Sequence, residues 1–143
     1  MFEQAIAIDR HYGPALSWAA ICHQRFVNDG WAPEPETARR KAIDLARRAL
    51  QVGESDPGIL ANAAQVLARF GEDIGAMIGL ADRALALNPS FARGWFVSGL
   101  LRLWAGQPEL AIACRDLAAP EPTRARGCTP IHNKPKLFLQ TSV

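Results

Sequence analysis

The stretch that decides the fold is residues 82–106, DRALALNPSFARGWFVSGLLRLWAG. Small and apolar residues recur in its first part at helical spacing, and Asn88-Pro89 ends that pattern because proline cannot continue a helix. Ser90 is then a candidate N-cap for a second helix. The stretch therefore predicts two helices joined by a tight turn, with small residues where the helices touch. One face of the second helix carries Trp95, Gly99 and Leu103.

The composition agrees with helices and excludes several classes of function. The chain has 143 residues, 49% of them hydrophobic, and a net charge of +2. Alanine, leucine and arginine dominate its first three quarters, which favours helix over sheet. The small net charge does not indicate binding to nucleic acid or to an anionic membrane. No apolar run approaches the roughly 20 residues of a membrane span, and the start lacks a signal-peptide pattern. We expect an all-α, cytoplasmic protein.

Turn residues divide the rest of the chain into further amphipathic segments. Asp56 is a predicted N-cap, and residues 31–36, WAPEPE, are too rich in proline for a helix. Gly75 and Gly79 each cost about 1 kcal/mol against alanine in a free helix, so they indicate close helix contact or a loose first turn. Another helix begins near Gly106 and is regular as far as Ala113. The other predicted helices cover residues 1–10, 15–28, 36–52, 57–71, 72–87 and 90–105.

The pattern of helices and turns repeats along the chain. Glu54 and Pro89 stand at the same point of the pattern, 35 residues apart. Arg10 and Glu54 are 44 residues apart, so the first unit is longer. We expect the extra residues to form an enlarged loop between Asp29 and Glu36.

Over roughly Phe2 to Ile112 the chain resembles the tetratricopeptide repeat, whose period is about 34 residues. The resemblance implies an α-α superhelix, a solenoid of about three helical hairpins over residues 1–117 that is incomplete at both ends. The first helix would then be the second helix of a hairpin, so the chain is either a fragment or is capped from one side only. The best-fitting positions are Ala20, Ala42, Ala49, Ala64, Phe70, Ala84, Pro89, Trp95, Gly99 and Ala111.

Several short sequence segments show a more specific resemblance. Cys22-His23, Gly30-Trp31, ALALNPSFARGW at 84–95 and AGQPELAI at 105–112 resemble the repeat arrays attached to bacterial class III adenylate cyclases and to some winged-helix transcription regulators. This resemblance implies a regulatory part of a larger bacterial signalling protein. In those proteins the array follows a catalytic or DNA-binding domain, and neither domain is present in this sequence.

The sequence contains no recognisable catalytic, cofactor or metal site. Three cysteines are an odd number without metal-ligand spacing, which argues against a disulfide framework. Cys22 and His23 are adjacent on a helix and point about 100° apart, so they suit one metal poorly. No nucleotide-binding or nucleophile motif occurs, and the acidic residues are scattered. The basic run between Arg39 and Arg48 is interpreted as a solvated face. We predict no enzyme activity and no cofactor.

The repeat resemblance implies that the first helix of each hairpin lines a concave groove. Its arginines and apolar side chains would suit an extended peptide or a partner helix. Two alternatives remain: the same patch packs against missing neighbouring repeats, or a truncated fragment without a ligand forms a homo-oligomer through its exposed end helices. The predicted groove consists of Ser17, Ile21, Gln24, Arg25, Ala61, Gln65, Ala68, Arg69, Arg93, Phe96, Leu100 and Trp104.

The repeat pattern fails in residues 118–143, which contain four prolines and no sustained apolar spacing. A disordered tail is one interpretation. A reading-frame shift is another, because moving permitted codons for residues 119–126 by one base gives the kind of proline-containing closing turn that the repeat lacks. Genomic sequence across the codons for residues 110–116 decides between them. Either way we expect little stable structure beyond about Leu117, apart from an extended segment at Lys136–Leu139.

Overall fold

The computed structural model describes residues 1–119, which form seven α-helices and no strand. The expected all-α class is therefore confirmed for this part of the chain. Each helix begins within two residues of its predicted start. The last helix continues to residue 118, which is five residues past the point where its regular sequence pattern ends. The helices are α1 (Phe2–Ile8), α2 (Gly13–Asn28), α3 (Pro35–Val52), α4 (Pro57–Arg69), α5 (Ile74–Leu87), α6 (Ala92–Trp104) and α7 (Pro108–Ala118).

The helices pack as three successive hairpins: α2 on α3, α4 on α5, and α6 on α7. The first helices of the hairpins also contact one another, α2 against α4 and α4 against α6. Contacts of α3 with α4 and of α5 with α6 join each hairpin to the next. Helix α1 packs on α2 and buries none of its residues completely. The helices α2, α4 and α6 therefore form one continuous layer.

Alanine allows the hairpins to pack closely. The main core extends from α2 to α6. Because the side chain of alanine is only a methyl group, the helix backbones in this core can approach one another closely. A smaller cluster joins Leu85, Trp95 and Cys114 at the last hairpin, where the Trp95 Nε1 donates a hydrogen bond of 2.8 Å to the Pro89 carbonyl. Core alanines with 3% exposure or less are Ala15, Ala19, Ala20, Ala42, Ala46, Ala49, Ala61, Ala63, Ala64, Ala81 and Ala84.

The same helix ending closes α2, α4 and α6. A glycine with positive φ follows each of them: Gly30 at 73°, Gly71 at 100° and Gly106 at 76°. The residue after each glycine donates its backbone N–H to the carbonyl five positions earlier, as in a Schellman motif. A left-handed residue is required at this point, and glycine adopts that conformation without steric cost. The three hairpins thus share a turn as well as an order of helices.

The first hairpin is longer, but the extra residues are not concentrated in a loop as the sequence suggested. The connection 29–34 is only two residues longer than the connection 70–73 of the second hairpin. Most of the difference lies in the helices, because α2 has 16 residues against 13 in α4, and α3 has 18 against 14 in α5. The proline-rich segment does not prevent this, since Pro35 occupies the first turn of α3, where its missing N–H is tolerated.

One local prediction is wrong, and one of the two interpretations of the α5 glycines is excluded. Ser90 does not cap α6, which begins after Phe91 without any side-chain cap, and the Asn88 side chain instead accepts the Ser90 backbone N–H. Gly75 and Gly79 do not mark close helix contact. A Cβ built at Gly79 would have no neighbouring atom within 4 Å, and one at Gly75 would meet only a carboxylate oxygen of Asp73. Gly75 is exposed, and Gly79 is half-buried but has no neighbour at the Cβ position, so helix packing does not require either glycine.

The predicted N-cap of α4 is confirmed. The Asp56 Oδ1 accepts the backbone N–H groups of Gly58 at 2.8 Å and Ile59 at 3.2 Å. We expect Asp56→Ala to lower the free energy of unfolding by about 1 kcal/mol, because two donors lose their acceptor. Ser90→Ala is the matched control and should change it by less than about 0.5 kcal/mol. Urea unfolding followed by circular dichroism measures both, and equal effects would contradict the capping role.

Within residues 1–119 no helix combines the length and the hydrophobicity that crossing a membrane requires. The predictions about residues 120–143, namely the disordered or frame-shifted tail and the segment Lys136–Leu139, lie outside the described residues.

Candidate functional site

Acidic residues are absent from the first helix of every hairpin. Helices α2, α4 and α6 contain no Asp or Glu, whereas α1, α3, α5 and α7 all do. The layer of first helices nevertheless carries arginines, and we call its exposed surface the α2–α4–α6 face. Its basic members are Arg25, Arg69 and Arg93, which all belong to the predicted groove. This segregation of charge gives that face a positive character that the net charge of the whole chain does not reveal.

Arg93 lies at the centre of a polar network that joins the three hairpins. Its Nε donates to the Asn62 Oδ1 at 2.6 Å, and its Nη2 donates to the Gln65 Oε1 at 3.3 Å, both on α4. These amides are oriented from α2, because the Asn62 amide nitrogen donates to Ser17 at 3.3 Å and the Gln65 nitrogen donates to Gln24 at 3.2 Å. Their oxygens therefore point toward the guanidinium, which is held in a fixed orientation.

An aromatic ring on α2 completes the surroundings of Arg93. The guanidinium carbon lies 4.8 Å from the centroid of the Trp18 ring, which is 39% exposed. A cation over an indole face is stabilised by the ring quadrupole. Since Arg93 belongs to α6, this contact reaches across α4 to the first hairpin. One side chain thus touches all three hairpins.

The described residues supply no counter-charge to Arg93. It has no ion-pair partner within the described residues, and burial alone lowers the pKa of its guanidinium below the usual value. A second arginine on the same helix shows the contrast. Arg102 is 2% exposed, and its Nη2 donates to both carboxylate oxygens of Asp82 at 3.1 Å. Arg102 thus has an acidic partner, whereas the partners of Arg93 within the described residues are all neutral.

The other two arginines of the face are more exposed and have weaker ties. The Arg69 Nε donates to the Asn28 Oδ1 at 3.0 Å, which again joins α4 to α2. Arg25 pairs with Asp29 one turn away, at 3.6 Å. Both side chains are accessible, so they add positive potential around the Arg93 network without a fixed geometry of their own.

An apolar strip continues from Arg93 along α6. Helical spacing places Phe96, Leu100 and Trp104 on the same side of the helix as Arg93. Phe96 is 53% exposed and Trp104 is 42% exposed, while Leu100 is half-buried. Large apolar side chains left in water at successive turns of one helix form a surface suited to contact with another molecule.

The predicted groove residues divide into three groups. Arg25, Arg69, Phe96 and Trp104 are exposed, and Gln65, Ala68, Arg93 and Leu100 are half-buried. Ser17, Ile21, Gln24 and Ala61 are buried, at 1%, 8%, 1% and 0% exposure, so they cannot contact a partner directly. They were assigned to the groove by sequence position alone, but α4 packs so closely on α2 that these side chains lie between the helices. Ser17 and Gln24 instead orient the amides next to Arg93.

Two residues of the network were missed from the sequence. Asn62 is completely buried yet supplies the shortest bond to Arg93, and Trp18 supplies the stacking ring. Each stands one position after a predicted groove residue. The absence of acidic residues from α2, α4 and α6 is a signal in the sequence that could have drawn attention to this face.

The basic run on α3 makes contacts within the protein. Arg39 stacks on Phe70 and donates to its carbonyl, Lys41 pairs with Glu3 of α1, and Arg47 pairs with Glu72. Lys41 is also the main reason that the pKa of Glu3 is lowered. These pairs connect α3 to neighbouring elements and are largely exposed. The run therefore forms contacts along the surface of the fold. In the described residues it does not form a cluster of unpaired cations that could bind a phosphate group.

Candidate metal ligands do not converge. No group of three or more His, Cys, Asp or Glu that could hold a metal ion occurs in residues 1–119. His23 lies 3.4 Å from Glu3, and burial is the first cause that lowers the pKa of its imidazole. Cys114 is completely buried, which raises the pKa of its thiol, and Cys22 is half-buried. Cys128 and His132 lie outside the described residues.

Comparisons found no protein-family model that matches the chain and no similar curated protein.

Proposed function

We propose that the protein is a non-catalytic interaction module whose α2–α4–α6 face binds an extended peptide or a helix of a partner protein. The observation that carries the proposal is the combination on one face of an unneutralised arginine, two accessible arginines and an apolar strip. Arginine and aromatic residues contribute much of the energy of protein interfaces. Within residues 1–119, acidic residues, which would repel an acidic partner, occur only in the other helices and in the turns between helices.

The order of the helices suits this role. Three hairpins with a shared turn, whose first helices form one layer, are what a tetratricopeptide-like superhelix would require, and such arrays present an extended surface to a partner. We therefore propose that architecture for residues 1–117. The sequence segments at residues 22–31, 84–95 and 105–112, with their resemblance to the repeat arrays of bacterial signalling proteins, further support a regulatory role in such a protein of the cytoplasm.

A binding selection tests the proposal. The protein is immobilised and screened against a displayed library of random 12-residue peptides, and the dissociation constants of enriched peptides are then measured by fluorescence anisotropy. We expect Phe96→Ala to weaken binding about tenfold or more, because a buried aromatic anchor contributes at least about 1–2 kcal/mol. Arg69→Ala should weaken it less, since exposed charges contribute less.

The chain provides a matched control for Phe96. Ile112 on α7 is also 53% exposed, but α7 is not part of the binding face. Ile112→Ala should leave the dissociation constants unchanged. If no peptide is enriched, or if Phe96→Ala and Ile112→Ala have the same effect, the α2–α4–α6 face is not the binding surface.

The alternative function is self-association of a fragment through its end helices. Two exposed apolar residues of the last hairpin favour it, Leu103 at 55% and Ile112 at 53% exposure. Light scattering over a concentration series separates this alternative from the first proposal. A dimer that Ile112→Asp dissociates and Phe96→Ala leaves intact would support it, whereas a monomer at the highest concentration would exclude it.

A further inference from the structure

We infer that a cleft formed by the end of α2, the start of α3 and the end of α4 binds a small phosphate monoester through Arg39 and Arg69. The cleft has a volume of about 340 Å³, which is within the range of small-molecule sites. Arg39 comes from α3 and Arg69 from α4, so the first two hairpins form the cleft together. The inference does not depend on the proposed peptide-binding function.

Both guanidinium groups of the cleft are oriented by neutral partners. The Arg39 Nη2 donates to the Phe70 carbonyl at 3.1 Å, and the guanidinium carbon lies 5.6 Å from the centroid of the Phe70 ring. The Arg69 Nε donates to the Asn28 Oδ1 at 3.0 Å. Within the described residues neither Nη of Arg69 donates a hydrogen bond, so its two terminal nitrogens remain for a ligand. Guanidinium groups oriented before binding lose little conformational freedom when a ligand arrives.

The two arginines of the cleft differ in their charge partners from the other cations of α3. Lys41 and Arg47 pair with acidic residues of other elements, and Arg48 pairs with one a turn away on its own helix. Arg69 has no acidic partner in the described residues, and the one ion pair of Arg39 there is with an exposed side chain at 3.9 Å. The cleft therefore keeps an excess of positive charge, which the basic run on α3 alone does not provide.

The opposite end of the same three helices shows that this positive charge is local. A larger cleft, of about 520 Å³, lies between the start of α2, the end of α3 and the start of α4. Its lining in the described residues contains no Arg, Lys or His and includes Glu54 and Asp56. An anion is repelled there, so the cleft at Arg39 and Arg69 is the one whose charge suits an anion.

The paired arginines and the apolar wall of the cleft select the class of ligand. A phosphate monoester carries close to two negative charges at neutral pH, and its oxygens match the donor geometry of guanidinium groups. Two arginines therefore suit it better than a singly charged anion. Val27 and Pro35 also line the cleft, and they can contact a small apolar substituent on the phosphate.

Glu36 gives the inference an effect of opposite sign. This residue lines the same cleft, and its carboxylate is the exposed group that lies 3.9 Å from the Arg39 guanidinium. It competes with a bound phosphate for Arg39 and repels it. Glu36→Gln is therefore expected to strengthen binding of a phosphate monoester, whereas it would weaken binding of a cation or of a zwitterion.

The experiment titrates phenyl phosphate into the ¹⁵N-labelled protein at neutral pH, in a buffer free of phosphate, and follows the amide resonances by NMR. We expect saturable binding with a dissociation constant below about 1 mM. Arg39→Gln and Arg69→Gln should each raise that constant about tenfold or more, because each removes charged hydrogen bonds. Glu36→Gln should lower it about twofold to fivefold.

Arg40→Gln is the matched control in the protein. Arg40 is adjacent to Arg39 in the sequence, but it does not line the cleft, and its Nε donates to the Glu36 carbonyl at 3.4 Å. This variant should leave the dissociation constant within about twofold at a physiological salt concentration. Circular dichroism and the thermal midpoint verify that the variants are folded.

Two other ligands test the inference on the unaltered protein, even if an arginine variant does not fold. Phenyl sulfate has nearly the same shape but a single negative charge, and it should bind about tenfold more weakly than phenyl phosphate. Inorganic phosphate should also bind more weakly, because it lacks the apolar substituent. Equal binding of inorganic phosphate would overturn the role given to Val27 and Pro35.

The remaining outcomes separate this inference from the proposed function. The absence of saturable binding, equal binding of phenyl sulfate, or equal effects of Arg39→Gln and Arg40→Gln would overturn the phosphate site. Weaker binding after Glu36→Gln would also overturn it. The peptide selection is unaffected by any of these results, so either proposal can fail while the other stands.

Discussion

Asp82→Ala is expected to lower the free energy of unfolding by about 3–5 kcal/mol, the usual cost of removing one partner of a buried ion pair. Asp82 on α5 is 4% exposed and holds Arg102 of α6, which also donates to Ser98. Without the carboxylate a buried guanidinium keeps its desolvation cost and loses its counter-charge. Because burial raises the pKa of Asp82, the carboxylate itself is costly to bury, and the loss measured is chiefly that of removing this carboxylate from the buried guanidinium of Arg102.

Urea unfolding at neutral pH, followed by circular dichroism, measures this effect. Asp44→Ala is the matched control, because Asp44 forms an exposed pair with Arg48 on α3 at 3.5 Å. Exposed pairs contribute at most about 1 kcal/mol, so this variant should remain close to the unaltered protein. Equal costs for the two variants would mean that the buried pair does not join the second hairpin to the third.

Gly99→Leu is expected to lower the free energy of unfolding by about 2–3 kcal/mol, through overpacking between α6 and α7. A Cβ at residue 99 would lie 3.1 Å from the Ala111 backbone carbonyl oxygen and 3.1 Å from the Cys114 Cβ. The first neighbour is backbone and cannot rotate away, so α7 must move. The loss appears in spite of the higher helix propensity of leucine.

The comparison with Gly79→Leu isolates the packing effect. Gly79 also lies within a helix, but a Cβ there would meet no atom within 4 Å. That variant should be neutral or should stabilise the protein by up to about 1 kcal/mol, since it removes a flexible residue from α5. If Gly99→Leu is as stable as Gly79→Leu, then α6 and α7 do not make the close contact described.

The order of helices was predictable because it depends on local patterns. The turn at Asn88-Pro89, the N-cap at Asp56 and the apolar spacing of each segment act within a few residues, and the structure confirms each of them. Gly99 was also identified as a contact position, because a helix contact requires a small residue at its closest point. Gly75 and Gly79 show the limit of that rule, since a glycine can equally lie where no other helix approaches it closely.

The candidate site was predictable in composition but not in arrangement. Its basic and apolar members could be named from the repeat position, whereas the burial of Gln24 and the contact of Arg93 with Trp18 depend on how closely α2, α4 and α6 pack. The pair of Asp82 and Arg102 was missed for the same reason. Twenty residues separate them in the sequence, and no local pattern distinguishes this pair from two surface charges.

The stacking of Arg93 on Trp18 determines how much of the chain the polar network around Arg93 requires. The two side chains come from the third and the first hairpin, and the amides that hold them come from the second. No single hairpin transplanted to another scaffold carries the site. The smallest piece of the chain that contains the whole network extends from Gly13 to Trp104, so the network exists only when all three hairpins are assembled.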